Sequence, residues 1–318
     1  MKKNDTILIL GHKGMLGHAI WKKAEEQGYF NLVGGDLPEV DLCDQKSVRS
    51  FFEQTRPEYV FFLAAAAAGI AYKKAHPADL LLRNLQMITN VMMYADAQGC
   101  QKMLNICSAL IYPVKAEIPL REEDAVCADM GLTDTPYALA KACGLQLAQY
   151  FNQQYGRNYI TAVPCNFFGP YAPFEGDRAG VVPSLISRVC RAKEHGSPSV
   201  EVWGTGNACR DLLGVSDVAD ACIFLMENDC DYDMFNIGSG REYRIADVAD
   251  LIKKTVGYEG ELVFNADRPE GRMHMMMDAG RLFSMGWRPV HSLEESIQDA
   301  YQWYQKKEQK EEQNGGCR

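Results

Sequence analysis

The chain reads as an α/β protein built on a doubly wound parallel sheet, with a smaller C-terminal α/β lobe for substrate. Three observations predict this. Short apolar runs alternate with helically spaced segments through residues 1–165. Spaced glycines stand between the first run and the first helix. From about Asn166 the elements shorten and Gly, Pro and aromatic residues cluster, as in Phe167-Phe168-Gly169-Pro170-Tyr171. Alternation at this pace means βαβ units and a parallel sheet.

Thr6–Leu10 is a continuous apolar run, as expected of a strand covered on both faces. A helix is predicted over Leu16–Gln27, a strand over Asn31–Gly34, a helix over Gln45–Thr55 and a strand over Tyr59–Leu63. Pro77–Gln98 has helical spacing and stops at Gly99, a favourable C-terminal residue. Lys102–Cys107 follows as a strand, Pro136–Tyr155 as a long helix and Tyr159–Val163 as a strand. Residues 166–305 form mainly the substrate lobe, with segments near 212–240 (Leu212–Val215 and Phe235–Ile237) returning to the sheet. The polar end, 306–318, is expected to fray.

Composition bounds the function. The 318 residues carry 33 Lys+Arg against 42 Asp+Glu, a net charge of −9. That balance argues against a broad nucleic-acid footprint, which needs a basic surface. No apolar run reaches the roughly 18–20 residues that span a bilayer, and the run after Met1–Asp5 is too short for a signal-peptide core. The eleven cysteines include no C-x-x-C pair, and the histidines show neither H-x-x-x-H nor H-E-x-x-H spacing. The expectation is a cytoplasmic enzyme with buried, reduced cysteines, no metal site, and neither nucleic acid nor membrane as partner.

Gly11-His12-Lys13-Gly14-Met15-Leu16-Gly17 is a G-x-x-G-x-x-G run between strand and helix. Glycines there permit a tight turn and close approach of a pyrophosphate to the helix N-terminus, the arrangement of a Rossmann dinucleotide site. Asp36, at the end of the second strand, can accept from a ribose 2′-hydroxyl and repel a 2′-phosphate. Lys13 points the other way, because it could meet that phosphate. NAD(H) is therefore favoured, with NADP(H) kept open. Asp36 could instead be a solvated turn residue. The expected cofactor-facing set is Gly11, Lys13, Gly14, Met15, Leu16, Gly17, Asp36, Asp41, Leu42, Ala64, Ala65, Tyr137, Lys141 and Pro164.

Tyr137-Ala138-Leu139-Ala140-Lys141 is Y-x-x-x-K, and residues four apart on a helix share a face. The ammonium of Lys141 is expected to stabilise the phenolate and lower the Tyr137 pKa from about 10, making it a proton donor to a reduced carbonyl. Ser108 closes the strand Lys102–Cys107, where its hydroxyl can polarise a substrate carbonyl. Glycine loop, strand-end serine and Y-x-x-x-K in this order resemble the extended short-chain dehydrogenase/reductase superfamily.

The resemblance is closer still to GDP-L-fucose synthase. It rests on the glycine run, Ala64-Ala65-Ala66, Ile111-Tyr112-Pro113, Pro136–Lys141, Tyr155-Gly156-Arg157, Asn166–Pro170, Val202-Trp203-Gly204-Thr205-Gly206, Arg210, Asn236–Gly240 and Gly286-Trp287. That family epimerises C3 and C5 of a GDP-4-keto-6-deoxymannose and reduces C4 with NADPH. The resemblance implies reduction by Ser108, Tyr137 and Lys141, and diphosphate or nucleotide contacts from Asn166, Trp203 and Arg210. Val181 completes the expected substrate set. Trp203 could equally pack the lobe, and Arg210 could pair with Asp211. Asn84 resembles a superfamily residue that supports the active-site helix. The family also implies a homodimer packed through the helices at 77–98 and 136–155.

Two departures matter. Where the family carries a catalytic cysteine shortly after the serine, this chain has Leu110; where it carries a catalytic histidine, Gly180 precedes Val181-Val182-Pro183. Epimerisation moves protons beside a carbonyl and needs a positioned acid and base, which neither residue supplies. Cys107 and His195 stand at other positions. The expectation is an NAD(P)H-dependent nucleotide-sugar oxidoreductase, a C4-keto reductase of a GDP-4-keto-6-deoxy hexose or heptose with epimerase chemistry lost or altered. The alternatives are a bifunctional GDP-L-fucose synthase recruiting other side chains, an NAD-dependent 4-epimerase or dehydratase, and a dinucleotide-sensing scaffold.

Overall fold

The first strand is wholly apolar because helices cover both of its faces. Its four residues are at most 1% exposed. Ile7 and Ile9 enter one core with Leu16, Ile20 and Ala24, whereas Leu8 and Leu10 enter another with Val48, Phe52 and Val91. Side chains alternate along a strand, so this division marks a two-sided sheet. The computed structural model describes residues 1–67, 75–125, 136–268 and 270–315.

The strands are β1 (Ile7–Leu10), β2 (Leu32–Gly35), β3 (Tyr59–Phe62), β4 (Lys102–Ile106), β5 (Tyr159–Pro164), β6 (Asn166–Phe168), β7 (Ser199–Trp203), β8 (Cys209–Arg210), β9 (Leu212–Gly214), β10 (Met234–Ile237), β11 (Tyr243–Arg244) and β12 (Glu261–Asn265). The helices are α1 (Met15–Glu26), α2 (Gln45–Thr55), α3 (Pro77–Ala97), α4 (Pro136–Tyr155), α5 (Val181–Glu194), α6 (Val215–Glu227), α7 (Ile245–Val256), α8 (Gly280–Ser284) and α9 (Leu293–Gly315). Six strands form one parallel sheet in the order β10-β5-β4-β3-β1-β2. The winding reverses between β1 and β3, the switch point beside which such sheets open a ligand crevice.

Local chemistry sets the element ends. Asp44 accepts from Lys46 N and Ser47 N, which starts α2 where expected. Pro77 occupies the first turn of α3. Two expectations need correction. Phe235–Ile237 does return to the sheet through β10, but Leu212–Gly214 pairs with β6 in a separate two-stranded sheet. Residues 306–315, expected as a frayed tail, continue α9. Ile297, Ala300 and Tyr304, spaced along one face, are at most 2% exposed and anchor that helix against Leu185, Val189 and Ile252 of the second lobe. Full burial of one such side chain stabilises by roughly 1.5–3 kcal/mol, so the polar turns propagate from a fixed stem. Residues 316–318 lie outside the described residues. Among the described residues no helix is long and apolar enough to cross a membrane.

Candidate active site

The glycine run folds back on itself immediately after β1. Gly11 adopts φ +97°, and a Cβ on Gly17 would sit 2.1 Å from the Gly11 carbonyl oxygen. A Cβ on Gly11 would sit 2.9 Å from Ala64 N, so the alanine-rich end of β3 abuts the loop. Gly14 caps α1 without a side-chain hydrogen bond, leaving the first N–H groups of Met15 and Leu16 for an anion. These residues fit a dinucleotide pyrophosphate. Asn84 secures the neighbouring wall: its Oδ1 accepts from Ala66 N at 3.0 Å and its Nδ2 donates to Ala66 O at 3.0 Å. It thus braces the end of β3 rather than α4, the helix it was expected to support.

Asp36 is not a loose turn residue. Its Oδ2 accepts from Lys13 N at 2.9 Å and lies 3.1 Å from His12 Nδ1. The imidazole lies where a side chain on Gly34 would be, since a Cβ there would come within 2.7 Å of the ring. Lys13 Nζ donates to Leu37 O and to Glu39, a carboxylate that sequence reading did not single out. Asp41 accepts from Cys43 N within its own turn, and buried Leu42 receives Asn90 Nδ2 on its carbonyl.

Beyond the carboxyl ends of the strands lies a cavity of about 590 Å³. Ser108, Leu110, Tyr137, Leu16, Ala65 and Pro164 all line it, as do Asn166, Gly180 and Val181. Ser108 ends its strand by capping the short 3-10 turn Ala109–Ile111, its Oγ accepting from Leu110 N at 3.3 Å. A hydroxyl that accepts this bond can still donate to a ligand oxygen. Lys141 is buried, and its Nζ donates to Ile106 O at 2.6 Å, 5.9 Å from the centre of the Tyr137 ring. Burial governs both titrations: it lowers the Lys141 amine to about 8 and raises the Tyr137 phenol above its ordinary value, with the nearby Cys107 thiol adding to the rise. The expected lowering of Tyr137 by Lys141 is therefore reversed, because desolvation outweighs the neighbouring charge.

A second cavity of about 870 Å³ shares Gly180 and Val181 with the first. Arg188, Trp203, Arg210 and Glu270 line it. Arg210 does not pair with Asp211. Its guanidinium donates to Cys209 O and Glu270 O, whereas Asp211 accepts from Ser239 and Met277 N. Arg188 was missed by sequence reading. Its Nη1 donates to Glu201 O at 2.7 Å, while its buried Nε has no hydrogen-bond partner among the described residues. Burial lowers both guanidinium pKa values, but they start so high that both groups remain cations. Only its spacing on the apolar face of α5 could have signalled Arg188. Trp203 is 52% exposed, with the Arg268 guanidinium 5.4 Å from its ring centre.

Other resembling motifs prove architectural. Tyr112 OH donates to Asn236 Oδ1 at 2.6 Å, and Asn236 also donates to Glu122, Leu120 O and Asp278 O. Cys107 lines the first cavity, but burial pushes its thiol up to about 11. His195 caps α5 through Nδ1 on Arg191 O.

A family profile described as "NAD dependent epimerase/dehydratase family" matches residues 7–238. GDP-L-fucose synthase 1 of Arabidopsis thaliana is 40% identical over 304 residues, covering 96% of this chain and 94% of that protein. Among solved structures, a GDP-6-OMe-4-keto-L-xylo-heptose reductase from C. jejuni superposes with a TM-score of 0.88 at 32% identity, covering 96% of this chain and 99% of its own. A GDP-mannoheptose C4 reductase from Campylobacter jejuni with NADP bound gives 0.86 at 33%, with the same coverage of 96% and 99%.

Proposed function

The chain belongs to the NAD-dependent epimerase/dehydratase family, and within it we propose that it is an NAD(P)H-dependent C4-keto reductase of a GDP-linked 4-keto-6-deoxy sugar. The observation that carries this reading is one cavity holding Ser108 and Tyr137 together with Leu110 and Gly180. The first pair serves carbonyl reduction, and the second offers no proton for exchange at carbon. The two C. jejuni reductases, both acting on GDP-heptoses by name, support C4 chemistry and favour a seven-carbon sugar. Among the described residues a Cβ on Gly180 would meet only Pro183 Cδ, at 3.6 Å. The absent side chain leaves that space at the lip between cavities, where a longer sugar side chain can lie.

In this reading Arg210 and Arg188 bind the diphosphate and Trp203 the nucleoside end, with Asn166 and Val181 against the sugar. Ser108 donates to the C4 oxygen and orients it. Tyr137, kept neutral by burial, gives its proton to that oxygen as negative charge develops there. Lys141 holds the ribose beside the nicotinamide and supplies a positive charge below about pH 8. Bound reduced nicotinamide supplies the hydride. The cofactor is NADH or NADPH. Asp36 opposes a 2′-phosphate, but the preference for NADH drawn from it gains no support from the C. jejuni enzyme, which holds NADP.

Exposed Leu82 and Met93 on α3 and Tyr150 and Tyr155 on α4 support homodimerisation through these helices.

The test is mass spectrometry of reactions with GDP-, CDP-, UDP- and dTDP-4-keto sugars in deuterated buffer, with each reduced nicotinamide. Stoichiometric cofactor oxidation with GDP substrates and no deuterium at C3 or C5 is expected. Deuterium at those carbons would establish the bifunctional synthase instead. Turnover without net cofactor consumption would establish an internal-redox epimerase or dehydratase.

A further inference from the structure

The substrate lobe brings together three side chains that the catalytic reading leaves unused. Donor atoms of Cys209, Glu242 and His274 lie within 4.8 Å of one another. They come from three separate segments, and the backbone fixes their meeting. Cys209 on β8 is paired with Arg244 on β11, and its N–H donates to Met273 O at 2.7 Å. Glu242 is clamped from the same side: its Oε1 accepts from Met275 N at 2.8 Å, which aims Oε2 at His274 Nδ1, 2.9 Å away. Cys209 is half-buried and donates through Sγ to Asn207 O at 3.5 Å, while the His274 ring is solvent-exposed.

We infer that Cys209, Glu242 and His274 form a zinc-binding site, with water as fourth ligand. Thiolate, imidazole and carboxylate are all zinc ligands, with bonds of about 2.3, 2.0–2.1 and 2.0–2.2 Å. A tetrahedron with such bonds has ligand-to-ligand edges of about 3.4–3.6 Å, between the 2.9 Å of the His274–Glu242 pair and the 4.8 Å within which all three donor atoms lie. The exposed imidazole and the thiol need only rotate to reach it. Binding deprotonates the cysteine: the Cys209 S–H bond breaks, the S–Zn bond forms and the proton passes to solvent. Glu242 keeps its bond to Met275 N and so holds the carboxylate from behind, as outer-shell partners of metal sites do. An occupied site ties β8 and the approach to β11 to the segment 273–275. It thereby steadies the strand that presents Arg210 to the second cavity.

Spacing could not show this triad, because no two members are near neighbours in sequence. The expectation that the chain has no metal site came from spacing alone, and the proposal departs from it. The inference is independent of the reductase reading, since its test does not measure turnover.

The test has two arms on the purified full chain. Cobalt(II) is titrated as a spectroscopic probe, with zinc added in competition. One equivalent with a thiolate-to-cobalt charge-transfer band is expected, displaced by zinc. Affinity should fall more than about 100-fold in Cys209→Ser, beyond the 10–100-fold typical of losing an outer-shell partner, and at least 10-fold in His274→Gln. The second arm needs no variant: alkylation of Cys209, read by peptide mapping, should slow at least tenfold when one equivalent of zinc is added. The partly exposed Cys43, Cys143 and Cys230 serve as controls whose rates stay unchanged. A thiolate band that survives Cys209→Ser, or a Cys209 alkylation rate unaffected by zinc, overturns the site.

Discussion

Tyr137 and Lys141 lie one turn apart on α4, yet the amine is directed past the phenol: Lys141 Nζ donates to Ile106 O at 2.6 Å and sits 5.9 Å from the centre of the Tyr137 ring. In the chain alone, the tyrosine is thus a half-buried neutral acid on the cavity wall, and the lysine is a desolvated amine anchored to β4. Tyr137→Phe should therefore reduce kcat by about 10²–10⁴-fold, the usual range for a general acid. Dissociation constants for reduced nicotinamide, read from its fluorescence, should change less than about threefold. Wild-type turnover in this variant would remove Tyr137 from the mechanism.

Lys141 carries a pH signature. Folding lowers its pKa from 10.5 to about 8. Between these values the unfolded chain holds the extra proton, so this group makes stability rise with pH across the window, while its burial cost is fully present below pH 8. Lys141→Met should be more stable than wild type at pH 7, by about 1–4 kcal/mol if it behaves as other buried charges replaced by apolar groups. That advantage should shrink as pH approaches 10.5. Wild-type kcat/KM should decline above about pH 8 as the charge is lost. Urea unfolding at pH 7 and pH 10, beside a pH–rate profile, checks both arms.

Arg210 and Arg188 approach the same cavity from β8 and α5. Removal of either should raise KM for a GDP-sugar by about 10–100-fold, from the loss of a charge-assisted hydrogen bond of ~1.5–3 kcal/mol. Arg210→Lys should recover less than half of that free energy, because an ammonium lacks the planar fork. Calorimetric titration with GDP alone separates this binding loss from any effect on chemistry.

In the proposed reductase, Leu110 and Gly180 are the positions that withhold proton exchange at C3 and C5. The double variant Leu110→Cys with Gly180→His introduces an acid and a base on the wall of the first cavity, and a Cβ at 180 makes only ordinary contact, 3.6 Å from Pro183 Cδ. Deuterium from solvent should then enter the substrate at C3 or C5, detected by mass spectrometry, at a rate above the wild-type background. No incorporation in a folded double variant would count against these two positions as the determinants.

Asp36 should set the balance between the two nicotinamide cofactors. Asp36→Ala removes the carboxylate proposed to face the ribose and leaves the Lys13 ammonium on Leu37 O and Glu39, so the NADPH/NADH ratio of kcat/KM should rise about tenfold or more. Adding Glu39→Gln should raise it further by freeing the ammonium. Direct binding of both cofactors to each variant distinguishes this from a change in chemistry.

The sheet was legible in the sequence because each strand is short, apolar and bounded by a turn residue or helix cap; Asp44 before α2 and Gly99 after α3 are examples. Ser108 and Tyr137 were legible because local spacing places both at strand and helix positions that open on one cavity. What spacing could not reveal was orientation. Lys141 shares a helix face with Tyr137 but spends its hydrogen bond on the backbone. Arg210 adjoins Asp211 in sequence, yet the two side chains bond to different partners. Arg188 was hidden for the converse reason, as a charged residue among the apolar positions of α5. The helix beyond residue 305 was equally hidden, since its stability comes from Tyr304 and Ile297 upstream rather than from its own polar composition.

Asn236 has a consequence for how the protein can be divided. It sits on the outermost strand of the main sheet, but its partners arrive from Tyr112, Leu120, Glu122 and Asp278. A fragment cut near residue 165 keeps Tyr112, Leu120 and Glu122 but lacks that strand and Asp278. The first 165 residues are therefore not a transplantable module: their sheet edge and three of their polar groups wait for partners made much later in the chain.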